Sequence, residues 1–155
     1  MNLVYKTTIT VDEVNAIRKS MGWRQIHPDH QQANIDANTV IIAAYEADKA
    51  IAMVGLRWNG GSFANMNILL NPEYQNREIE KEFTNRIFDF LRDKLKPGFG
   101  IQVDIFCRSG QEALYESFGF QRTTPGNRGV PMQICLTNQI ELTDAMFKQC
   151  DFKEK

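Results

Sequence analysis

A single long amphipathic stretch, residues 77–96, constrains the fold of this chain more than any other feature of its sequence. Apolar side chains recur there at spacings of three and four residues, which is one face of a helix. They are Ile79, Phe83, Ile87, Phe90, Leu91 and Leu95. Lys94 and Lys96 favour the negative end of the helix dipole, and Pro97 and Gly98 follow as stop signals.

Short β-branched and apolar stretches on both sides of this helix predict strands. The predicted strands are residues 3–9, 39–46, 50–58, 62–70, 100–107, 120–122 and 130–136. Further helices are predicted after a capping box formed by Thr10 and Glu13, from Pro28 to about residue 37, and at 111–117. Hairpins followed by a strand–helix–strand unit predict an α/β (α+β) fold. It has a mixed, mostly antiparallel central sheet of about six or seven strands, flanked by about four helices.

Length and charge limit the classes of function. The chain has 155 residues, the size of one domain, and we expect residues 1–136 to form it. Residues 137–155 are expected to be a tail of the same domain that holds a short helix. A net charge of −1 offers no basic field for nucleic acid or anionic lipid. No apolar run is long enough to span a bilayer.

The cysteines indicate a reducing compartment. There are three of them, Cys107, Cys135 and Cys150, and they form no CxxC pair or Cys/His cluster. The sequence therefore predicts no metal site. Free thiols are typical of reducing compartments, so a cytoplasmic location is expected.

Two stretches contain residue types that suit ligand binding or catalysis. The first is 68–80, where a strand ends at Asn71-Pro72, a polar turn follows and the long helix begins. The first turn of a helix offers unpaired amides, which suit a phosphate, although an ordinary strand-to-helix connection explains the pattern as well. The second stretch is 113–120, in which the phenol of Tyr115 could give a proton to a leaving thiolate or could simply be packed.

Together, these stretches resemble the GNAT acetyltransferase superfamily. Asn-Pro-Glu-Tyr-Gln at 71–75 is similar to the family's lead-in to its acetyl-CoA loop. Leu-Tyr-Glu-Ser-Phe-Gly-Phe at 114–120 is similar to its downstream tyrosine motif. Residues 17–23 and the hairpin within 43–55 resemble a small bacterial subgroup. The resemblance covers roughly residues 5–136.

The resemblance implies an acetyl-CoA-dependent N-acetyltransferase acting on a small amine or a protein amino group. Acetyl-CoA would lie in a cleft between the strands at 62–70 and 100–107, and Tyr115 would protonate the departing thiolate. The backbone of the strand would hold the pantetheine arm, and amides of the turn would hold the pyrophosphate. The implied cofactor-binding residues are Ile68, Leu70, Gln75, Asn76, Arg77, Glu78, Ile79, Glu80 and Lys81.

The chain departs from the family pattern at Glu78 and Glu80, which stand where the turn usually has glycine. Glycine lets the backbone approach a pyrophosphate closely, whereas glutamate adds bulk and negative charge. Two explanations stay open. Either the carboxylates stabilise the helix and the site is lost, or they point outward and Arg77, Lys81 or Arg86 contacts the phosphate.

The alternative function is a non-catalytic domain that binds another ligand or a partner protein. A weaker idea is a module that forms a homodimer through residues 130–136 and the apolar tail residues Met146, Phe147 and Phe152.

Other polar residues are weaker candidates. His27 and His30 could form a base or a metal pair, but exposed histidines are the more frequent case. Glu46 or Asp104 could assist amine deprotonation. Trp23 could line an acceptor pocket, although an anchor for the first helix is favoured.

Overall fold

The computed structural model describes residues 2–75, 77–123 and 132, and of Arg77 only the backbone. At its centre is a five-stranded sheet in the order β1-β2-β3-β4-β5. The strands are β1 (Leu3–Lys6), β2 (Val40–Glu46), β3 (Lys49–Trp58), β4 (Phe63–Leu70) and β5 (Gln102–Ile105). The pairs from β1 to β4 are antiparallel, and β4 and β5 are parallel. The predicted mixed, mostly antiparallel sheet is confirmed.

Four helices belong to the described part of the chain: α1 (Val11–Ser20), α2 (Pro28–Asp36), α3 (Arg77–Arg92) and α4 (Glu112–Ser117). The predicted capping box begins α1. The amide of Glu13 donates to Oγ1 of Thr10 at 3.3 Å, and the amide of Thr10 donates to Oε2 of Glu13 at 2.8 Å. No helix among residues 2–75 and 77–123 is long and apolar enough to cross a membrane.

Helices cover both faces of the sheet, as the element order predicted. On one face, Ile79, Phe83 and Ile87 of α3 are fully buried in a single cluster with strand residues of β2, β3 and β4. On the other face, α1 packs Val14 and Ile17 in a second cluster that includes strand residues of β2, β3 and β4. The sheet therefore lies between α1 and α3, with one apolar cluster on each of its faces.

The long helix ends at Arg92, before the predicted residue 96. The amides of Lys94 and Leu95 bond to the carbonyls of Leu91 and Arg92, three residues back, at 2.9 and 3.1 Å. This tighter turn rotates Leu95 off the apolar face, and its side chain is 43% exposed. The prediction that Leu95 belongs to the core face is wrong.

The sheet has fewer strands than predicted among the described residues. Residues 120–122 form no strand, because the amide of Phe120 bonds to the carbonyl of Tyr115 at 3.1 Å and continues the turn after α4. The predicted strand 130–136 lies outside the described residues except for Met132, which is not in a strand. The predicted tail 137–155 and the dimer surface also lie outside them.

The parallel strands β4 and β5 pair along only part of their length. Their register runs from Phe63 opposite Gln102 to Met66 opposite Ile105. β4 continues to Leu70, whereas β5 ends at Ile105. The two strands are therefore open toward the C-terminal end of β4, next to the beginning of α3.

Candidate active site

Backbone groups of Ile68 and Leu70 face the opening between β4 and β5. Backbone polar groups of a strand point alternately to its two neighbours. The carbonyl of Ser62 accepts the amide of Gln102 at 2.8 Å, so the even-numbered positions of β4 face β5. Because the ladder ends at Met66, the N–H and C=O groups of Ile68 and Leu70 point into the opening. The sequence prediction placed the pantetheine arm on these two residues.

A cavity of about 250 Å³ continues this opening at the head of α3. It lies between the end of β4, the turn before α3 and the loop that leads into α4. Its lining residues are Leu70, Gln75, Glu80, Arg108, Gly110, Gln111, Ala113 and Leu114. We call it the α3–α4 cavity. One cation and one anion line it among the described residues, together with two amide side chains.

Glu80 and Tyr115 meet beside this cavity. The hydroxyl of Tyr115 donates to Oε1 of Glu80 at 3.3 Å, and the two residues are 7% and 4% exposed, respectively. Glu80 follows Ile79 by one position, which places it on the flank of the apolar stripe of α3 that faces α4. The ring of Tyr115 makes edge contacts with Phe118 and Phe120, at centroid distances of 6.1 and 5.9 Å.

The surroundings of Tyr115 keep its phenol protonated. Burial raises the pKa of Tyr115 well above its usual range, and the negative charge of Glu80 raises it further. The guanidinium of Arg108 acts in the opposite direction and lowers the pKa of Tyr115. The phenol is therefore a donor that is engaged with a carboxylate and lies within the electrostatic range of a cation.

The two glutamates of the turn differ in position. Glu78 is exposed, whereas Glu80 is buried and points toward α4. The hypothesis that both carboxylates point outward is wrong for Glu80. Its hydrogen bond from Tyr115 of α4 holds the carboxylate of Glu80 against that helix.

Two of the cations named from the sequence, Lys81 and Arg86, do not line the α3–α4 cavity. Arg86 donates from Nε to Glu82 at 2.6 Å, and its guanidinium lies 4.6 Å from the ring centre of Tyr5. Lys81 is exposed on α3. Gln75 does line the cavity. Asn76 and the side chain of Arg77 lie outside the described residues.

Sequence reasoning missed Arg108 and Gln111. Both line the α3–α4 cavity, on the wall opposite the turn that resembled a phosphate loop. One signal could have found Arg108, because it directly follows the predicted strand 100–107. In open α/β sheets, ligands bind beyond the carboxyl ends of the strands.

The weaker candidates make local contacts, which leave their possible roles untested. Nδ1 of His27 accepts the amide of Asp29 at 3.3 Å and caps α2. A hydrogen bond from Tyr74 to Glu46 raises the pKa of Tyr74. Asp104 accepts a hydrogen bond from Nε2 of Gln102 at 3.0 Å. The guanidinium of Arg18 lies 5.3 Å from the ring centre of Trp23, which anchors that ring to α1.

Metal chemistry has no support in residues 2–75 and 77–123. No group of three or more His, Cys, Asp or Glu side chains there could hold an ion. His27 and His30 contact each other only through their rings, with centroids 5.8 Å apart.

A larger cavity of about 950 Å³ lies along the outer edge of β5. Phe63, Ile105, Phe106 and Met132 are among its lining residues, and Phe106 is 65% exposed. Thr123 and Met132 also line it, and the residues between these two are not described. We assign the candidate site to the smaller cavity, because Glu80, the hydrogen-bond partner of Tyr115, lines it beside the open end of β4.

Comparisons with known proteins identify the fold. No family model matches the sequence, and no curated protein matches it. A protein of unknown function from methicillin-resistant Staphylococcus aureus, named as a probable acetyltransferase, has a similar structure. Its TM-score is 0.75 at 17% identity, over 86% of this chain and 100% of its own.

Two further solved structures have names that state a family or a bound molecule. A GNAT-family acetyltransferase of Streptococcus pneumoniae matches with a TM-score of 0.65 at 16% identity, over 89% of this chain and 98% of its own. AAC(6')-Iy, in complex with the bisubstrate analogue CoA-S-monomethyl-acetylneamine, matches with a TM-score of 0.61 at 13% identity, over 88% of this chain and 100% of its own. Identities this low show a shared fold. The chain therefore has the fold of the GNAT acetyltransferases, as its two motifs predicted.

Proposed function

We propose that this protein is an acetyl-CoA-dependent N-acetyltransferase of the cytoplasm. Its acceptor would be a small amine or a protein amino group, and it would need no nucleic acid, membrane or metal. The observation that carries the proposal is the opening between β4 and β5, into which Ile68 and Leu70 direct backbone groups. Acetyltransferases of similar fold support it, including one in complex with a CoA-containing analogue.

The residues present fit the cofactor with one exception. Among the described strands, none pairs with Ile68 and Leu70 on the β5 side, so their backbone groups fit the amide-containing pantetheine arm, since a buried peptide group needs a hydrogen-bond partner. Gln75, Arg108 and Gln111 provide donors for an anionic end. Glu80 opposes that fit, because a carboxylate repels a neighbouring pyrophosphate. Its engagement with the hydroxyl of Tyr115 reduces the conflict without removing it.

Tyr115 would hold the proton that a leaving thiolate needs. Acetyl-CoA, when bound, supplies an acyl group activated as a thioester. An ordinary thiol has a pKa of about 8.5, below that of an ordinary tyrosine at about 10. Burial and Glu80 raise the pKa of Tyr115 further, so proton transfer becomes easier when Glu80 turns away from the phenol.

An acetyl-transfer assay tests the proposal. Purified protein is incubated with acetyl-CoA and a panel of amines, and acetylated product is detected by mass spectrometry. We chose product over released thiol as the readout because Cys107 is itself a thiol. The panel contains polyamines, aminoglycosides and peptides with free amino termini. Enzyme-dependent acetylation of any member supports the proposal, and its absence for all of them contradicts it.

The second candidate function is a non-catalytic domain, and the contact between Glu80 and Tyr115 favours it. A buried carboxylate bonded to the expected acid is a stable arrangement that needs no cofactor. In that case the α3–α4 cavity would hold a different ligand. No binding of acetyl-CoA, together with no acetylation of any amine, would support this candidate over the first.

A further inference from the structure

Two charged side chains line the α3–α4 cavity, and they differ in their contacts. Glu80 is buried and accepts the hydroxyl of Tyr115. Arg108 is half-buried and lines the same cavity. In residues 2–75 and 77–123, the guanidinium of Arg108 has no carboxylate within ion-pair distance and no side-chain hydrogen bond, and only its carbonyl is bonded. The guanidinium of Arg108 therefore has no ion-pair partner among the described side chains, although the carboxylate of Glu80 lines the same cavity.

A partly buried arginine of this kind is a good anion site. Removing a charge from water is costly unless an opposite charge or hydrogen-bond acceptors compensate. The guanidinium is planar, stays charged and offers several donors that match the oxygens of a phosphate. Gln75 and Gln111 line the same cavity and add amide donors.

Arg108 also lies at a position that a ligand following β4 would reach. It lies just beyond the end of β5, on the wall opposite the turn that precedes α3. Leu70, at the open end of β4, lines the same cavity. A ligand whose arm follows the free backbone of β4 thus reaches Arg108 where the strand ends.

We infer that Arg108 binds the pyrophosphate of the cofactor and offsets the charge that Glu80 introduces. This inference rests on the proposed function. It assigns to a side chain on the α4 side of the cleft a task that the turn before α3 would otherwise perform with backbone amides. The chemistry recognised is a phosphate anion, which the cofactor carries both in its pyrophosphate and in its 3′-phosphate.

Calorimetric titration of the full chain distinguishes these sources. Wild-type protein and Arg108→Gln are titrated with CoA, with dephospho-CoA, which lacks the 3′-phosphate, and with pantetheine, which lacks phosphate. Loss of a charged hydrogen-bond partner should weaken CoA and dephospho-CoA about 10-fold or more. The affinity for pantetheine should not change. Arg108→Lys should keep part of the affinity, because the charge remains while the fork of donors is lost.

Arg92→Gln is the matched control. It removes the same charge from the exposed end of α3, where Arg92 forms an ion pair with Asp89 and lies over the ring of Phe88. We expect its affinity for all three ligands to equal that of the wild type. The melting temperature of Arg108→Gln should also equal that of the wild type, since no described partner is lost.

The outcomes separate this inference from the proposed function. If the wild type binds CoA and Arg108→Gln binds it equally well, the inference is overturned and the proposed function stands. An equal loss for CoA and pantetheine, or a lowered melting temperature, overturns it in favour of a structural role. A selective loss for CoA alone assigns Arg108 to the 3′-phosphate and also overturns it. Wild-type protein that binds no probe contradicts both.

Discussion

The hydroxyl of Tyr115 donates a hydrogen bond to Oε1 of Glu80 at 3.3 Å, between two residues that are each more than nine-tenths buried. This contact joins the expected proton donor to a carboxylate that stands where the turn of the similar family usually has glycine. Both proposed functions of the cleft, holding an anion and giving a proton, therefore depend on where Glu80 lies.

Glu80→Gln should strengthen binding of CoA. The amide keeps the size of the side chain and can still accept from Tyr115, but it removes the charge that repels a pyrophosphate. Charges about 4 Å apart near a protein surface interact by roughly 4 kcal/mol before screening. We expect a net gain of about 10-fold in Kd, measured by calorimetry. Glu78→Gln is the control, because Glu78 is exposed in the same turn of α3. Equal gains from both variants would show that the position of Glu80 has no special effect.

Tyr115→Phe should lower kcat by about 100-fold, the lower range for loss of a general acid, with little change in the Kd of the cofactor. Tyr45→Phe is the matched control. Tyr45 is buried and donates to Glu13 at 2.9 Å, in the apolar cluster on the other face of the sheet. Each variant should lose about 1.5–3 kcal/mol of stability with its charged hydrogen bond. Only Tyr115→Phe should lower kcat. A similar fall in kcat for Tyr45→Phe would contradict the role of Tyr115 as the proton donor.

Gly55→Ala should destabilise the protein through Asn38. A Cβ at position 55 would lie 2.5 Å from Oδ1 of Asn38, whose side-chain amide donates to the carbonyl of Asn34 at 2.8 Å after α2. The clash forces Asn38 out of that bond, and overpacking of this kind costs about 1–3 kcal/mol. Urea unfolding measures the loss. Adding Asn38→Ala should recover part of it, and strictly additive losses would contradict the clash.

The stability of the α1 capping box should depend on pH through Glu13. Burial raises the pKa of Glu13, but hydrogen bonds from Thr10 and Tyr45 outweigh it, and the net pKa is lowered from 4.5. A carboxyl with a lowered folded pKa stabilises the protein above its ordinary pKa, and this contribution is lost as the pH falls. Melting temperatures of Glu13→Gln should therefore decline less between neutral pH and pH ~3 than those of the wild type. Parallel declines would refute the linkage.

Local sequence patterns predicted the elements but not their contacts. The apolar repeat of Ile79, Phe83 and Ile87 predicted α3, and Thr10 with Glu13 predicted the beginning of α1, because both signals are complete within a few residues. The end of α3 was misplaced, since a change from i−4 to i−3 hydrogen bonds has no separate pattern in the sequence.

The direction of Glu80 could not be predicted for a different reason. Its position borders the apolar stripe of α3, so solvent or a partner helix could face it equally well. Only the docking of α4, which brings Tyr115 from 35 positions away, buries it. Arg108 enters the site through the same long-range packing. The sequence motif therefore predicted the helix that holds Tyr115. It did not predict that Glu80 and Arg108 lie near this tyrosine.

Calorimetric titration of the wild-type protein with acetyl-CoA tests the central claim most directly, which is that the opening between β4 and β5 binds the cofactor. Hydrogen exchange with and without acetyl-CoA locates the binding in the same samples. The account predicts micromolar affinity, with slowed exchange at the amides of Ile68 and Leu70. No binding at millimolar acetyl-CoA, or binding that leaves the exchange of β4 unchanged, would contradict it.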